Sequence, residues 1–409
     1  MLNSAHASAR RSRPRVGCRR GFGAVLGVIL IEGSSRKGRI LKHRLALVRE
    51  NLAGRAARST SSVTRGTSLA SRLPPADLLP WSLSVLGAEG QAELEPVAGD
   101  ASARRYFRLR LNGRSYIAVD APPESQKNAE FLKVRGLLAA AGISVPALCG
   151  ADLSRGYLLL GDLGDRLLLQ QLDASTANQP YGRAFEILLA MGSIDPGDPQ
   201  WPRYDDALLS EELSRFPQWF VERLLGIPSP DDSIWRPLAD VLKANALEQP
   251  TVLVHRDFHS RNLMPQPDGA LALIDFQDAV VGPVTYDLVS LLRDCYIRWQ
   301  PAQVEAWALS YLELLQQRGT LVDIDKSRFL RWFDLMGLQR HLKVLGTFAR
   351  LNIRDDKPAY LDDLPLVISY VVEMLQKYRD DMVVIAAFDN WFAGEVMTVI
   401  RQQPWNSAP

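Results

Sequence analysis

The sequence predicts an α+β fold in two lobes: a small β-rich N-lobe with one helix, then a larger, mainly helical C-lobe carrying a β-hairpin. Two observations predict it. Turn-punctuated, alternating segments crowd residues 92–121, and helical periodicity dominates beyond residue 165 except in one β-rich insertion, 251–277. The division falls at 71–162 for the N-lobe and 163–409 for the C-lobe. With 409 residues, 47% apolar and 23% charged, the chain can bury a large core without disulfides or a structural metal. Cys18, Cys149 and Cys295 are far apart and odd in number. They give neither a disulfide framework nor a zinc site, and they suit a reducing, cytoplasmic setting. Collagen-like, coiled-coil, disulfide-scaffold and multi-span membrane classes are excluded.

The formal net charge of +2 hides two opposite parts. Residues 1–70 hold 15 Lys+Arg against Glu32 and Glu50, and the rest of the chain holds 33 Lys+Arg against 44 Asp+Glu. The body is mildly acidic, so the overall basicity does not argue for nucleic-acid binding. Residues 1–70 are rich in Arg, Ser, Ala and Gly and carry no amphipathic period. This basic low-complexity leader is expected to be disordered or a start-site artefact. A targeting peptide and a nucleic-acid arm are the alternatives.

From residue 73 the elements follow in order. Pro74-Pro75-Ala76-Asp77 opens a helix with Leu78, Leu79, Trp81 and Leu83 as its apolar stripe. Residues 106–111 alternate apolar and polar, Asn112-Gly113 signals a two-residue hairpin turn, and 115–120 resumes the strand. Residues 129–141 place Phe131, Val134, Leu137 and Leu138 on one helical face, with Gly142 as the stop. Residues 156–161 read as a buried strand. Helices are then predicted at 180–193, 205–225, 232–247, 301–318, 326–350, 364–379 and 381–402. Within the insertion, 251–254 and 271–274 read as strands around a Pro267-Asp268-Gly269 turn.

The segment that carries chemistry is His255-Arg256-Asp257-Phe258-His259-Ser260-Arg261-Asn262, followed by Ile274-Asp275-Phe276-Gln277-Asp278. Phosphoryl transfer needs these residue types in this order. A loop Asp can accept or orient a hydroxyl proton, which makes Asp257 the catalytic candidate. An amide oxygen at Asn262 and a carboxylate at Asp275 suit Mg²⁺, which prefers oxygen ligands and phosphate. Zinc on His255 and His259, at i and i+4, would need a helix and further ligands, so a structural role is expected for His255. Upstream, the loop Gly99, Asp100, Ala101 and Ser102 can bring backbone N–H groups to phosphates. The link Gly161-Asp162-Leu163-Gly164 can offer backbone groups to an adenine edge.

These residues resemble the aminoglycoside phosphotransferase family, whose fold is protein-kinase-like, over roughly residues 75–400. Gly99-Asp100-Ala101-Ser102, Asp120-Ala121-Pro122-Pro123, the string 255–264, Asp275-Phe276-Gln277-Asp278-Ala279, Tyr286-Asp287-Leu288 and Gln339-Arg340-His341-Leu342-Lys343 are similar to those of its anomeric kinases for N-acetylmuramate and N-acetylglucosamine. The resemblance implies ATP and Mg²⁺ as cofactors and an amino-sugar acceptor. It implies a 1-phosphate product for peptidoglycan recycling, Asp257 as catalytic base, and Asn262 and Asp275 as metal ligands. No nucleic acid, membrane or obligate protein partner is expected.

One departure stands out. Protein kinases carry a phosphate-binding Lys on the third strand, whereas Ile117-Ala118-Val119 is followed here by Asp120, whose charge has the wrong sign. Arg104, Arg105 and Arg108 are the candidate replacements, because a guanidinium can grip phosphate with two donors, and Lys127 and Lys133 lie farther along; Arg105 is taken into the nucleotide site. For the acceptor, Glu212, Arg215 and Trp219 recur at i, i+3 and i+7 and are expected to share a helix face with sugar-binding chemistry. Arg340 and Lys343, at i and i+3, are expected to meet the lactyl carboxylate of a muramic acid or the transferred phosphate. Asp287 and Arg293 are expected to brace the catalytic loop. The rivals are a kinase for an aminoglycoside, choline or homoserine, and a nucleotide-binding pseudokinase.

Overall fold

The computed structural model describes residues 73–97, 104–198 and 201–406. The leader 1–70 and the loop Gly99, Asp100, Ala101 and Ser102 lie outside these residues.

Helix α1 (Leu78–Val85) leads into an antiparallel five-stranded sheet of β1 (Leu94–Val97), β2 (Arg105–Leu111), β3 (Arg114–Asp120), β4 (Leu148–Asp152) and β5 (Tyr157–Gly161). The spatial order is β1-β2-β3-β5-β4. Asn112 (φ 51°) and Gly113 (φ 73°) both take left-handed backbone, which lets the tight β2–β3 turn follow the strand twist. Side chains alternate between two faces. Phe107, Ala118, Tyr157 and Leu159 pack under Leu78 of α1. Val119, Leu158 and Leu160 face the opposite way, onto the helix α2 (Asn128–Ala140), which contributes Phe131, Val134 and Leu138 to that core.

The helical part begins with α3 (Asn178–Gly192) and α4 (Asp206–Arg215), which continues as a π-helical stretch, Phe216–Leu225. It adds α5 (Asp232–Leu247), α6 (Tyr286–Leu292), α7 (Pro301–Gln317), α8 (Lys326–Asp355) and α9 (Leu364–Tyr378), then α10 (Val383–Trp391), a π turn (Phe392–Val396) and α11 (Met397–Ile400). The 30-residue α8 runs through the lobe centre and is buried on most faces. The stretch Val383–Ile400 is long and apolar enough to cross a membrane by length and composition. Its Ile385, Phe388, Phe392, Val396 and Ile400 are instead buried in the same core as α8 and α9, as in a core helix.

Two local features differ from expectation. The 251–254 and 271–274 strands do not pair with each other. β6 (Thr251–Val254) pairs with β9 (Val280–Pro283), and β7 (Leu263–Pro265) with β8 (Leu271–Leu273). β7 has three residues and ends on Pro, and β9 ends on Gly-Pro, so neither reads as a strand from composition. The single helix expected over 205–225 widens into a π-helix at Phe216, next to Pro217, which has no N–H to give a regular turn.

Gly346 sets the closest crossing in the lobe. A Cβ there would lie 2.3 Å from the backbone carbon and oxygen of Arg215. Backbone cannot rotate away as a side-chain tip can. Gly346→Ala is therefore expected to destabilise by about 1–3 kcal/mol, as overpacking does, read as a lower denaturant midpoint. An unchanged midpoint would show that α8 and α4 have room to separate.

Candidate active site

The chemistry-bearing loop leaves β6 at His255 and enters β7 at Leu263. His255 is fully buried and spans two loops. Its Nδ1 accepts from the Asp257 backbone N–H (3.2 Å), which assigns the proton to Nε2, and Nε2 donates to the Ile274 carbonyl (2.9 Å). The Ile274 N–H in turn donates to the Asn262 carbonyl (3.1 Å). Ile274 is thus tied to both ends of the loop, and the next residue is Asp275. These bonds bring the segments bearing Asp257, Asn262 and Asp275 together. The Asn262 amide nitrogen donates to the Asp257 carbonyl (2.9 Å), so its Oδ1, a neutral acceptor, is the atom left for a cation. Asp275 is exposed and held at φ 64°, a left-handed conformation rare outside glycine.

Arg256 takes φ 76°, an equally costly conformation of order 1–3 kcal/mol. Two carboxylates hold it there. Asp287, at the start of α6, accepts the backbone N–H of His255 (2.6 Å) and of Arg256 (3.0 Å). Glu212 of α4 accepts from the Arg256 guanidinium, and it also meets Lys343 of α8 (3.2 Å) and the Tyr204 hydroxyl. Lys343 donates to the Tyr286 hydroxyl (3.0 Å). A third carboxylate, Asp294, accepts the Ser260 N–H (2.9 Å) and hydroxyl.

These charges set the protonation of the loop. Burial alone would raise Asp257, but its positive surroundings, Lys343 first, outweigh it and hold its carboxyl at about 2. Burial also works against Glu212, and Lys343 and Arg256 bring it down to about 2. Lys343 is raised in return, Glu212 overcoming the effect of its burial. Asp287 goes the other way: burial pushes it up to about 6, although His255 and the backbone donors oppose the rise.

A family model described as the phosphotransferase enzyme family matches residues 93–321. The chain belongs to that family. A curated relative from Pseudomonas putida named N-acetylmuramate/N-acetylglucosamine kinase is 43% identical over 287 residues, 69% of this chain and 83% of its own length. A protein of the same name from Pseudomonas aeruginosa is 42% identical over 285 residues, 68% and 83% of the two chains. Among solved structures, a choline kinase from Streptococcus pneumoniae has a TM-score of 0.51 at 15% identity, covering 73% of this chain and 98% of its own. That likeness is one of fold, the protein-kinase-like α+β fold.

In this phosphotransferase several sequence candidates fall elsewhere than expected. Arg105 shares the sheet face of Phe107, under α1, and pairs with Asp120 opposite it in register (2.6 Å). This corrects its assignment to the nucleotide site: its guanidinium lies on the far side of the sheet. Asp120 lies there too, so it does not occupy the phosphate-facing position of a kinase lysine. Two cations among the described residues reach the Asp275 loop: Arg104, which is buried and donates to Gln277 Oε1 (3.1 Å), and Lys127, which pairs with Asp278 (2.6 Å). The Asp162 carboxylate accepts from Arg108 Nε (2.6 Å), the Ser115 hydroxyl (2.6 Å) and the Gly164 N–H (2.9 Å). It latches the interlobe link to the sheet and offers no side-chain donor to a nucleotide.

The acceptor candidates also separate. Glu212 is fully buried beneath Arg256, so it supports the loop instead of lining a sugar pocket. Arg215 turns to Glu211 (2.7 Å) and Thr347 (3.4 Å), and the Trp219 ring lies under the Arg223 guanidinium (4.1 Å). The π turn at Phe216 breaks the 3.6-residue period on which their shared face depended. Arg340 is buried and donates to the Cys295 sulfur (3.5 Å), just after α6. Arg293 pairs with Asp334 (2.5 Å), not with the loop; the bracing falls to Asp287 and to Asp294 one residue on. Asp294 and Tyr204 carry no sequence signal that would have singled them out.

The opposite shifts give a testable pH pattern. Asp287, raised above its unfolded value, takes up a proton as pH falls from 7 to 5, and its contribution to stability increases in that window. Glu212 and Asp257, both depressed, lose theirs only as pH falls toward about 2. Protonation costs Asp287 an acceptor oxygen for the loop amides. Turnover is therefore expected to decline with a midpoint near pH 6 while the melting temperature stays level or rises. Parallel loss of both across pH 7–5 would exclude Asp287 as the group responsible.

Proposed function

We propose that this phosphotransferase moves the γ-phosphoryl group of ATP to the anomeric hydroxyl of N-acetylmuramate, N-acetylglucosamine or both. The product would be the sugar 1-phosphate, for cell-wall recycling in the cytoplasm. The observation that supports a transfer reaction is the tie at Ile274, which links the loop segment bearing Asp257 and Asn262 to the residue next to Asp275. The acceptor rests on the two relatives above, whose names specify it and whose length this chain largely covers. The choline-kinase likeness, at 15% identity, supports the fold and no acceptor.

The donor set fits Mg²⁺ and ATP. Among the described residues no group of three or more His, Cys, Asp or Glu could hold a metal by itself. One amide oxygen and one carboxylate are what a hard cation needs when phosphate oxygens complete its shell. Asn262 and Asp275 would hold it, and it would supply charge neutralisation for the phosphates. Asp257 accepts the hydrogen bond of the acceptor hydroxyl and aims its oxygen along the line of attack. A carboxylate held at about 2 is a weak base, so its contribution is orientation, with proton transfer late in a loose transition state. The loop 99–102 would cover the phosphates with backbone N–H groups.

The test is an acceptor panel with Mg²⁺ and ATP: both amino sugars, glucose, choline, homoserine and an aminoglycoside, with phosphorus NMR locating the new ester. A 1-phosphate on an N-acetylated sugar is expected. Turnover of choline or an aminoglycoside in its place would move the acceptor to another class, and nucleotide binding without turnover of any acceptor would mark a pseudokinase.

A further inference from the structure

Arg340 sits midway along α8 with 2% of its surface exposed. Its only hydrogen bond goes to the Cys295 sulfur at 3.5 Å, and no carboxylate pairs with it among the described residues. The other deeply buried cations of this helical core are compensated: Arg293 by Asp334 and Lys343 by Glu212. Cys295 does not neutralise Arg340, because burial holds the thiol up at about 11 and it stays uncharged. A buried guanidinium without a counter-ion costs several kcal/mol. Such a cost is retained where a ligand brings the missing anion.

The surroundings indicate which ligand. The charge of Arg340 is felt by Asp257 and by His259, two residues further along the catalytic loop. The His259 Nδ1 is buried and has no hydrogen-bond partner. Its ring stands edge-on to Tyr296 at 5.3 Å, and burial pulls its pKa down, leaving a neutral imidazole. The groups interacting with Arg340 (Cys295, Tyr286, Asp257 and His259) come from α6, the segment after it and the catalytic loop. Arg340 thus meets the segment just after α6 through Cys295, whose chain neighbour Tyr296 packs against His259 of the catalytic loop.

We propose that Arg340 is the receptor for a carboxylate on the acceptor, so that the site favours an acidic N-acetylated amino sugar over its neutral counterpart. This rests on the amino-sugar reading above. The planar guanidinium matches a carboxylate with two parallel N–H···O bonds, and in a buried site each is stronger than in water. N-acetylmuramate carries such a group on its lactyl ether and N-acetylglucosamine does not. His259 is placed to offer its unused nitrogen to the same ligand.

The experiment uses the full chain with Mg²⁺ and ATP, and three acceptors: N-acetylmuramate, the same sugar with its lactyl carboxyl converted to the amide, and N-acetylglucosamine. For the unaltered protein, kcat/KM is expected to fall about 100-fold from the acid to the amide, mainly in KM. In Arg340→Met the acid is expected to lose about 100-fold more than N-acetylglucosamine does, which erases the difference between acid and amide. Equal turnover of acid and amide by the unaltered protein overturns the proposal without depending on any variant folding. Equal losses on all three acceptors in Arg340→Met also overturn it and assign Arg340 to the phosphoryl group or to the scaffold. Turnover of none of the three by the unaltered protein instead removes the amino-sugar reading itself.

Discussion

Replacing Asp257 by Asn is expected to lower kcat by about 10³-fold and to leave nucleotide-dependent thermal stabilisation in place. The magnitude is the usual range for a positioned acid–base group. The substitution keeps the shape and the hydrogen-bonding length of the side chain. It removes the negative charge that Lys343 and Arg256 help to keep ionised. Asn262 bonds to the backbone carbonyl of residue 257, not to its side chain, so the loop can keep its path. Nucleotide affinity would then be preserved while the acceptor hydroxyl loses its acceptor. Single-turnover kinetics with thermal-shift titration of ATP separate the two effects. Turnover within tenfold of the parent would remove Asp257 from the reaction.

What was legible in the sequence depended on how local the determinant is. The Asn112-Gly113 turn could be read because two adjacent residues supply both left-handed conformations. The order of Asp257, Asn262 and Asp275 could be read because loop and hairpin are contiguous in the chain. Asp287 could be placed as a brace because it follows the hairpin by one short strand. What failed depended on register. Arg104, Arg105 and Arg108 are equivalent in composition, yet a one-residue step in a strand reverses the face. Only the pairing of Arg105 with Asp120 decides that Arg105 turns away. Glu212 failed for a similar reason on a helix. The assumed 3.6-residue period ends at Phe216, and whether Glu212 faces solvent or Arg256 depends on α8, more than a hundred residues downstream.

The buried carboxylates share one task. Asp287, Glu212 and Asp294 each reach the loop 255–262 from a different element, and each meets a different part of it: backbone at 255 and 256, guanidinium at 256, and Ser260. Together they hold a non-glycine residue in left-handed backbone directly before Asp257. The stored strain is retained because three anchors over-determine the loop.

Glu212→Gln tests that account with the second large effect. The change leaves two buried cations, Arg256 and Lys343, sharing no counter-charge from α4. Removing one partner of a buried charge cluster typically costs about 3–5 kcal/mol. Stability is therefore expected to fall by that amount in denaturant unfolding at pH 7. kcat is expected to drop about 10²-fold as Arg256 relaxes and Asp257 shifts. The KM for ATP should barely move, because Asn262 and Asp275 do not touch Glu212. The pH profile separates positioning from chemistry. With Glu212 neutral, the positive charges around Asp257 are less offset, so Asp257 stays ionised and the acid limb near pH 6 remains where Asp287 sets it. Pairing Glu212→Gln with Lys343→Met removes one of the stranded cations and should recover part of the stability. A single variant that unfolds within 1 kcal/mol of the parent and turns over normally would mean that Arg256 holds its conformation without Glu212.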